Sequence, residues 1–187
     1  MSKRGPYLLR AFRIDADNDS DWDLVLTNPR LGRVELFENE GDGNFTRKLT
    51  ARGWDSNSVA IADINNDGKM DVVVGTRSKS NQTSIQIFLN TTDDIRDFCR
   101  VRLQMPSPNP FAVGAVVEAT RSGASRPFFA EKARWDGTPI HIGLGESKNL
   151  VLTVRFPDSK VKTLKNIKPN TEIIVDHAIK LMGKDNE

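Results

Sequence analysis

Two stretches of this chain repeat one another, and that repetition constrains the fold more than any other feature. Asp63-Ile64-Asn65-Asn66-Asp67-Gly68-Lys69-Met70-Asp71 places oxygen-bearing side chains at its first, third, fifth and ninth positions and a glycine at its sixth. Asp15-Ala16-Asp17-Asn18-Asp19-Ser20-Asp21-Trp22-Asp23 has aspartate at the same four positions 48 residues earlier, with Ser20 in place of the glycine. An apolar run leaves each stretch, Leu24-Val25-Leu26 and Val72-Val73-Val74. A second landmark recurs at a spacing of 51 residues, Val34-Glu35-Leu36-Phe37-Glu38-Asn39 against Ile85-Gln86-Ile87-Phe88-Leu89-Asn90. A period of about 40–50 residues built on short strands points to propeller blades or a similar array.

The residue types say what the repeated loops are for. Alternate positions in a tight loop turn their side chains toward one centre, and a hard cation such as Ca²⁺ takes six to eight oxygen ligands at about 2.3–2.6 Å. The glycine tolerates the positive φ that a sharp bend needs. Asp63, Asn65, Asp67 and Asp71 form one candidate set, completed by the carbonyl of Lys69 at the seventh position and by water. Asp15, Asp17, Asp19 and Asp23 form the other, with Asp21 at the seventh position, and Ser20 weakens this copy. Two structural Ca²⁺ sites are therefore expected. Neither loop is an EF-hand, which needs glutamate at position twelve and flanking helices, whereas position twelve here is Leu26 or Val74. Asp, Asn and Gly also build ordinary solvated turns; two copies in register favour the cation.

Residues 59–62 leading into Asp63, Asn65, Asp67, Gly68 and Asp71 resemble the FG-GAP/VCBS repeat of integrin-type β-propellers. Asn39-Glu40-Gly41-Asp42-Gly43-Asn44-Phe45 is similar to that family's glycine-rich turn, which Asn90-Thr91-Thr92-Asp93 lacks in the second copy. The resemblance covers roughly residues 8–95 and implies loops that join two strands of a blade around calcium. The second half resembles the ASPIC/UnbV domain, which follows such repeats in the cartilage acidic protein-like family. Residues 109–117, His141-Ile142-Gly143-Leu144-Gly145 and residues 154–159 carry that likeness. Phe156 and Ser159 stand where the family usually has Trp and Gly, and residues 133–138 replace its glycine-rich stretch. The resemblance implies the C-terminal portion of such a protein.

The expected fold class is all-β. Residues 1–95 read as two repeats of a partial β-propeller, with strands at 7–14, 24–26, 34–37, 45–49 and 59–62 and in the apolar runs of the second copy. Residues 96–178 read as a small β-sandwich or barrel, with strands near 99–103, 113–119, 128–130, 140–142, 150–156 and 172–175 and a hairpin turn at 157–160. Residues 179–187 form a tail, a short helix or frayed end. Two blades cannot close a ring, so further blades of a longer parent chain are expected partners.

Composition narrows the function classes. No run approaches the roughly 18 apolar residues of a membrane helix, and residues 1–7 lack the apolar core of a signal peptide. Residues 1–97 carry 13 basic and 16 acidic side chains, a net −3, which leaves +5 for the remainder of a chain whose total is +2. The basic half lacks interleaved aromatics, so no nucleic-acid partner is expected. Cys99 is the single cysteine, which rules out an intrachain disulfide and suits a buried, inert thiol. His141 and His177 lie near no nucleophile motif, and Gly143 and Gly145 read as tight-turn residues. No catalytic or organic-cofactor site is expected. Trp22 and Trp54 read as packing residues, and Trp135 as either packing or sugar stacking. Sequons at Asn44, Asn81 and Asn90 suit an extracellular, secreted parent protein. The leading expectation is a non-enzymatic, calcium-stabilised binding or scaffolding module for an unidentified protein or glycan. The alternative is a substrate-positioning part of a carbohydrate-active or biosynthetic protein, built on a pocket of Trp135, His141 and a carboxylate.

Overall fold

A computed structural model describes residues 9–29, 31–52, 58–77, 80, 82–93, 95–147 and 150–178. The chain divides into two compact units, residues 1–95 and 96–187. The fold is all-β: the described residues form fourteen strands and no helix, hence no helix long and apolar enough to cross a membrane.

In the first unit, β1 (Arg10–Ile14), β2 (Asp23–Asn28), β3 (Arg33–Asn39) and β4 (Phe45–Arg52) form an antiparallel meander in sequence order. The next repeat gives three strands, β5 (Ser58–Ala62), β6 (Asp71–Arg77) and β7 (Thr83–Phe88), again in order. β6 reads VVV because both of its faces are at least half covered, the condition that favours continuous apolar runs over alternation.

Strand register shows how these two blades bury one another. On the first blade Ile14, Val25, Val34 and Leu36 share a face, since Val25 pairs with Phe12 and Leu36 and successive side chains alternate. On the second, Val74 shares a face with Val59, Ile61, Val72 and Phe88. These two sets make one apolar cluster, with Val25 and Val74 fully enclosed. The blades stack face to face and, among the described residues, form no closed ring.

The second unit holds two sheets. β9 (Val116–Arg121), β10 (Phe129–Lys132), β12 (Leu150–Arg155) and β13 (Val161–Lys165) run in the order β10-β9-β12-β13. β8 (Asp97–Gln104) lies between β11 (Ile140–Gly145) and β14 (Thr171–Asp176), with β14 parallel to it. Leu150, Leu152 and Val154 alternate inward on β12, the period-2 pattern of a half-buried strand.

Three local features depart from the sequence reading. The run 113–119 becomes a strand only from Val116, because Ala112 and Gly114 take positive φ in the preceding turn. Gly143 lies inside β11 rather than in a tight turn, across a register shift against β8 from Gly145; Gly145, the last residue of the strand, takes φ 56° in the turn that Ser147 N–H closes on the Leu144 carbonyl at 3.1 Å. The strand β13, which residues 161–165 did not announce, is the second arm of the hairpin at 157–160, closed by Phe156 N–H to the Lys160 carbonyl at 2.8 Å and by Ser159 at φ 70°. The expectations for Tyr7, Trp54, Asn81 and the tail at 179–187 lie outside the described residues.

Candidate metal centre

Each nine-residue loop joins the first two strands of its blade, β1 to β2 and β5 to β6. Side-chain-to-backbone hydrogen bonds recur at matching positions in the two loops. The first-position carboxylate accepts from the sixth-position amide, Ser20 N–H to Asp15 at 3.3 Å and Gly68 N–H to Asp63 at 2.9 Å. The third position accepts from the fifth, Asp19 N–H to Asp17 and Asp67 N–H to Asn65. The fifth accepts from the seventh, Asp21 N–H to Asp19 and Lys69 N–H to Asp67, both 2.9 Å. These are the side-chain-to-backbone turns that Asp and Asn favour. The fourth position takes φ 60° in both loops, at Asn18 and Asn66, and the sixth takes φ 80° at Ser20 and 88° at Gly68.

The ninth-position aspartates hold the loops shut. Asp23 accepts Ala16 N–H at 2.7 Å on one oxygen and Asn39 N–H at 2.8 Å on the other. Asp71 does the same with Ile64 N–H at 2.9 Å and Asn90 N–H at 2.8 Å. Both side chains are fully buried. Each thereby ties the start of its loop to the end of the third strand of its blade. A carboxylate oxygen has a second lone pair, so this stapling leaves capacity for a cation.

The loops differ in charge. In the first, one oxygen from each of Asp15, Asp17 and Asp19 lies within 4.8 Å of the others. Two oxygens on one ion with bonds of about 2.4 Å can be no more than about 5 Å apart, so the spacing fits a shared Ca²⁺. Asp15 Oδ1 and Asp21 Oδ1 are buried with no hydrogen-bond partner among the described residues. Burial, then the charges of Asp19, Asp17 and Asp23, push the Asp15 carboxyl up to about 8. Burial and the charges of Asp19 and Asp23 push Asp21 up to about 7. Asp23 stands at about 6, raised by burial and held back by its bonds to Ala16 and Asn39. In the second loop Asn65 replaces one carboxylate and donates to Asp67 at 2.9 Å, and the Lys69 ammonium reaches the Thr92 carbonyl at 2.6 Å.

Two asparagines that the spacing argument passed over tie the loops together. Asn18, with no solvent exposure, donates to the Gly68 carbonyl at 3.1 Å. Asn90 donates to the Ala16 carbonyl at 2.7 Å. The signal was present at Asn90, the last residue of the repeated landmark, whose counterpart Asn39 accepts Gly41 N–H as Asn90 accepts Thr92 N–H. That use of the Asn90 amide leaves it bound inside the unit rather than offered as a glycan acceptor.

The other candidates scatter. Trp22 lies under the Arg13 guanidinium at 4.4 Å, while Trp135 is 78% exposed. His141 sits inside β11, stacked on Phe98 at 5.2 Å, with burial and then Arg100 holding it down at about 4. The buried Cys99 thiol is pushed up to about 12 by desolvation. The 440 Å³ cavity beside Phe111 and Gly137 includes neither Trp135 nor His141 in its lining.

Comparison with known proteins divides the chain along the same line. A family model described as an FG-GAP-like repeat matches residues 15–74, and one described as ASPIC and UnbV matches residues 105–181. Cartilage acidic protein 1 of Xenopus tropicalis is 36% identical over 78 residues, 39% of this chain and 12% of that protein. The Mus musculus protein of the same name is 32% identical over 122 residues, 56% of this chain and 19% of the relative. Integrin alpha-PS3 of Drosophila melanogaster is 29% identical over 115 residues, 54% of this chain and 10% of the relative. The chain thus spans less than a fifth of the length of these relatives. No solved structure matches it.

Proposed function

We propose that this chain, which carries an FG-GAP-like repeat followed by an ASPIC and UnbV domain, is a non-catalytic binding or scaffolding module whose blade pair is stabilised by Ca²⁺ at its two aspartate loops. One observation carries the reading: the first loop packs the carboxylates of Asp15, Asp17 and Asp19 together and leaves Asp15 Oδ1 buried without a partner. Unpaired buried charge is costly, and a bound divalent ion offsets both the burial and the mutual repulsion. Asp15, Asp17 and Asp19 hold the ion in the first loop, with Asp23 and the seventh residue, Asp21, completing the set. Asp63, Asn65, Asp67, Asp71 and Lys69 form the corresponding set in the second. The ion is structural: it holds two strand ends together and supplies no reaction chemistry.

The likeness to secreted and cell-surface relatives supports an extracellular parent protein with a protein or glycan ligand. Further blades of that parent fit the face of β6 and β7 that carries the exposed Ile85 and Ile87 and that no other strand covers among the described residues. The test is a thermal melt with Ca²⁺ and with chelator. A ligand at about 100 times its Kd contributes about 2.7 kcal/mol per site, and a unit of this size gains roughly 4–8 °C per kcal/mol. A rise of about 10 °C or more is expected for residues 1–95; coincident melts reject the structural ion.

A further inference from the structure

The two aspartate loops are bridged by a reciprocal pair of asparagine amides, one from each blade. Asn18 lies between Asp17 and Asp19 in the first loop, and its amide donates to the Gly68 carbonyl of the second at 3.1 Å. The peptide held there continues into Lys69, whose N–H donates to the Asp67 carboxylate at 2.9 Å. Asn90 lies just beyond β7 in the second blade, and its N–H donates to Asp71 at 2.8 Å. The Asn90 amide donates to the carbonyl of Ala16, the residue between Asp15 and Asp17, at 2.7 Å. Each bridge therefore runs from beside the ligand set of one loop to the backbone that sets ligands in the other. Their counterparts in the repeat are placed differently: Asn66 is exposed, and Asn39 accepts Gly41 N–H within its own blade. Asn18, Ala16 and Gly68 are buried. Hydrogen bonds shielded from water are electrostatically stronger, and an acceptor left unmade there is expensive. A shift in one loop is thus passed to the other.

We propose, resting on the reading that both loops bind Ca²⁺, that the two sites are coupled: an ion in either loop orders the other through Asn18 and Asn90, so the pair fills cooperatively. The sign follows from ordering. A first ion fixes its own loop and, through the bridges, part of its neighbour, so the second ion meets a loop with less freedom left to lose. No carboxylate belongs to both ligand sets, so the ions do not compete for an oxygen, and both bridges are neutral amides. The coupling matters most to the second loop, which has three aspartates against five and carries Lys69. By linkage the factor is the same in both directions. Asn18 and Asn90 are positioning residues, since neither belongs to a ligand set.

Calorimetric titration of CaCl₂ into the chelator-stripped full chain tests this. Each loop is disabled in turn by amides that keep the oxygens its turns use: Asp17→Asn/Asp19→Asn in the first, Asp63→Asn/Asp67→Asn in the second. The product of the two association constants of the parent should exceed the product of the two single-loop constants by about fivefold or more. Asn18→Gly/Asn90→Ala should still bind two ions, with that factor reduced to about 1 when the same loop variants are made in its background. Glycine accepts the φ of 60° at position 18, and alanine at position 90 keeps the N–H on Asp71. Each single substitution removes one bridge and should give an intermediate factor, which carries the test if the double variant does not fold. Asn39→Ala, whose side chain bonds within its own blade, should leave the factor at its parent value. Two ions that bind independently in the parent overturn the coupling and leave the ion sites standing. A factor that survives undiminished in both asparagine singles and in the double variant overturns the bridges. No ion at either loop rejects the calcium reading together with the coupling.

Discussion

The two aspartate loops have the same backbone shape and very different electrostatics. Five side-chain-to-backbone hydrogen bonds recur at matching positions, from the sixth-position amide to the ninth-position carboxylate. Yet the first loop holds five aspartates and no base, whereas the second holds three and Lys69. The first is also the more enclosed, with Asn18 buried where its equivalent Asn66 is exposed. Shape in these loops therefore comes from backbone stapling, and charge varies on top of it. The second loop has the better turn sequence, with Gly68; the first has the greater need of a cation.

The largest expected effect falls on what the loops share. Asp23→Ala and Asp71→Ala each remove both acceptors of two backbone amides. An orphaned buried donor costs about 1–3 kcal/mol, so each variant loses roughly 3 kcal/mol, read as a fall in the melting temperature of the first unit in chelator. Equal losses support a common staple; a large inequality breaks the equivalence of the loops.

Next in size is a change that separates them. Asp15→Asn removes one charge from the crowded first loop while keeping an oxygen. In chelator it stabilises the unit by roughly 2 kcal/mol, since a shift of one pKa unit is worth about 1.36 kcal/mol and Asp15 is displaced by more than that. In saturating calcium the sign reverses, because a proposed ligand has been weakened. Asp63→Asn changes chelator stability far less, its loop having fewer carboxylates to repel. The same sign in both buffers for Asp15→Asn would detach that residue from any ion.

The comparison also has a pH signature. Asp15 titrates near 8 in the folded chain against an ordinary 3.8, and Asp21 near 7. Between those values the folded state holds protons that the unfolded state releases, so calcium-free stability falls as pH rises from about 4 through about 8. Calcium replaces the protons and flattens that slope. Melts in chelator at successive pH values check it, and Asp15→Asn should make the slope shallower and remove it above about pH 7, leaving the part that Asp21 and Asp23 contribute.

What the sequence made legible was whatever depends on spacing. The ninth positions, the landmark at Asn39 and Asn90 and the strands that follow each loop all come from local periodicity and turn chemistry. What stayed hidden depends on partners distant in the chain. Nothing at Asn18 says that its amide meets the Gly68 carbonyl 50 residues away, or that one loop is buried by the other. Lys162 is similar: a lysine in a polar run reads as solvated, yet it is buried with its ammonium on the Asp176 carbonyl, in a strand that pairs with β12. Trp135 shows the converse, since an aromatic residue in a polar turn has no local feature that fixes its exposure.

The smallest expected effect isolates the one position where the two loop sequences disagree about backbone. Ser20 holds φ 80° and Gly68 holds φ 88°, so the first loop puts an L-residue where the second has the residue suited to it. A non-glycine residue in this region carries about 1–2 kcal/mol of strain, while glycine costs the unfolded chain some tenths more in entropy. Ser20→Gly should therefore stabilise the first unit by about 0.5–1 kcal/mol, and Gly68→Ala should destabilise it by about 1 kcal/mol. Both keep the amide that the first-position aspartate accepts, so the shifts should be the same with calcium and with chelator. If Ser20→Gly proves neutral or harmful, the hydroxyl of Ser20 contributes something the glycine of the second loop lacks, and the first loop is not simply a strained copy of the second.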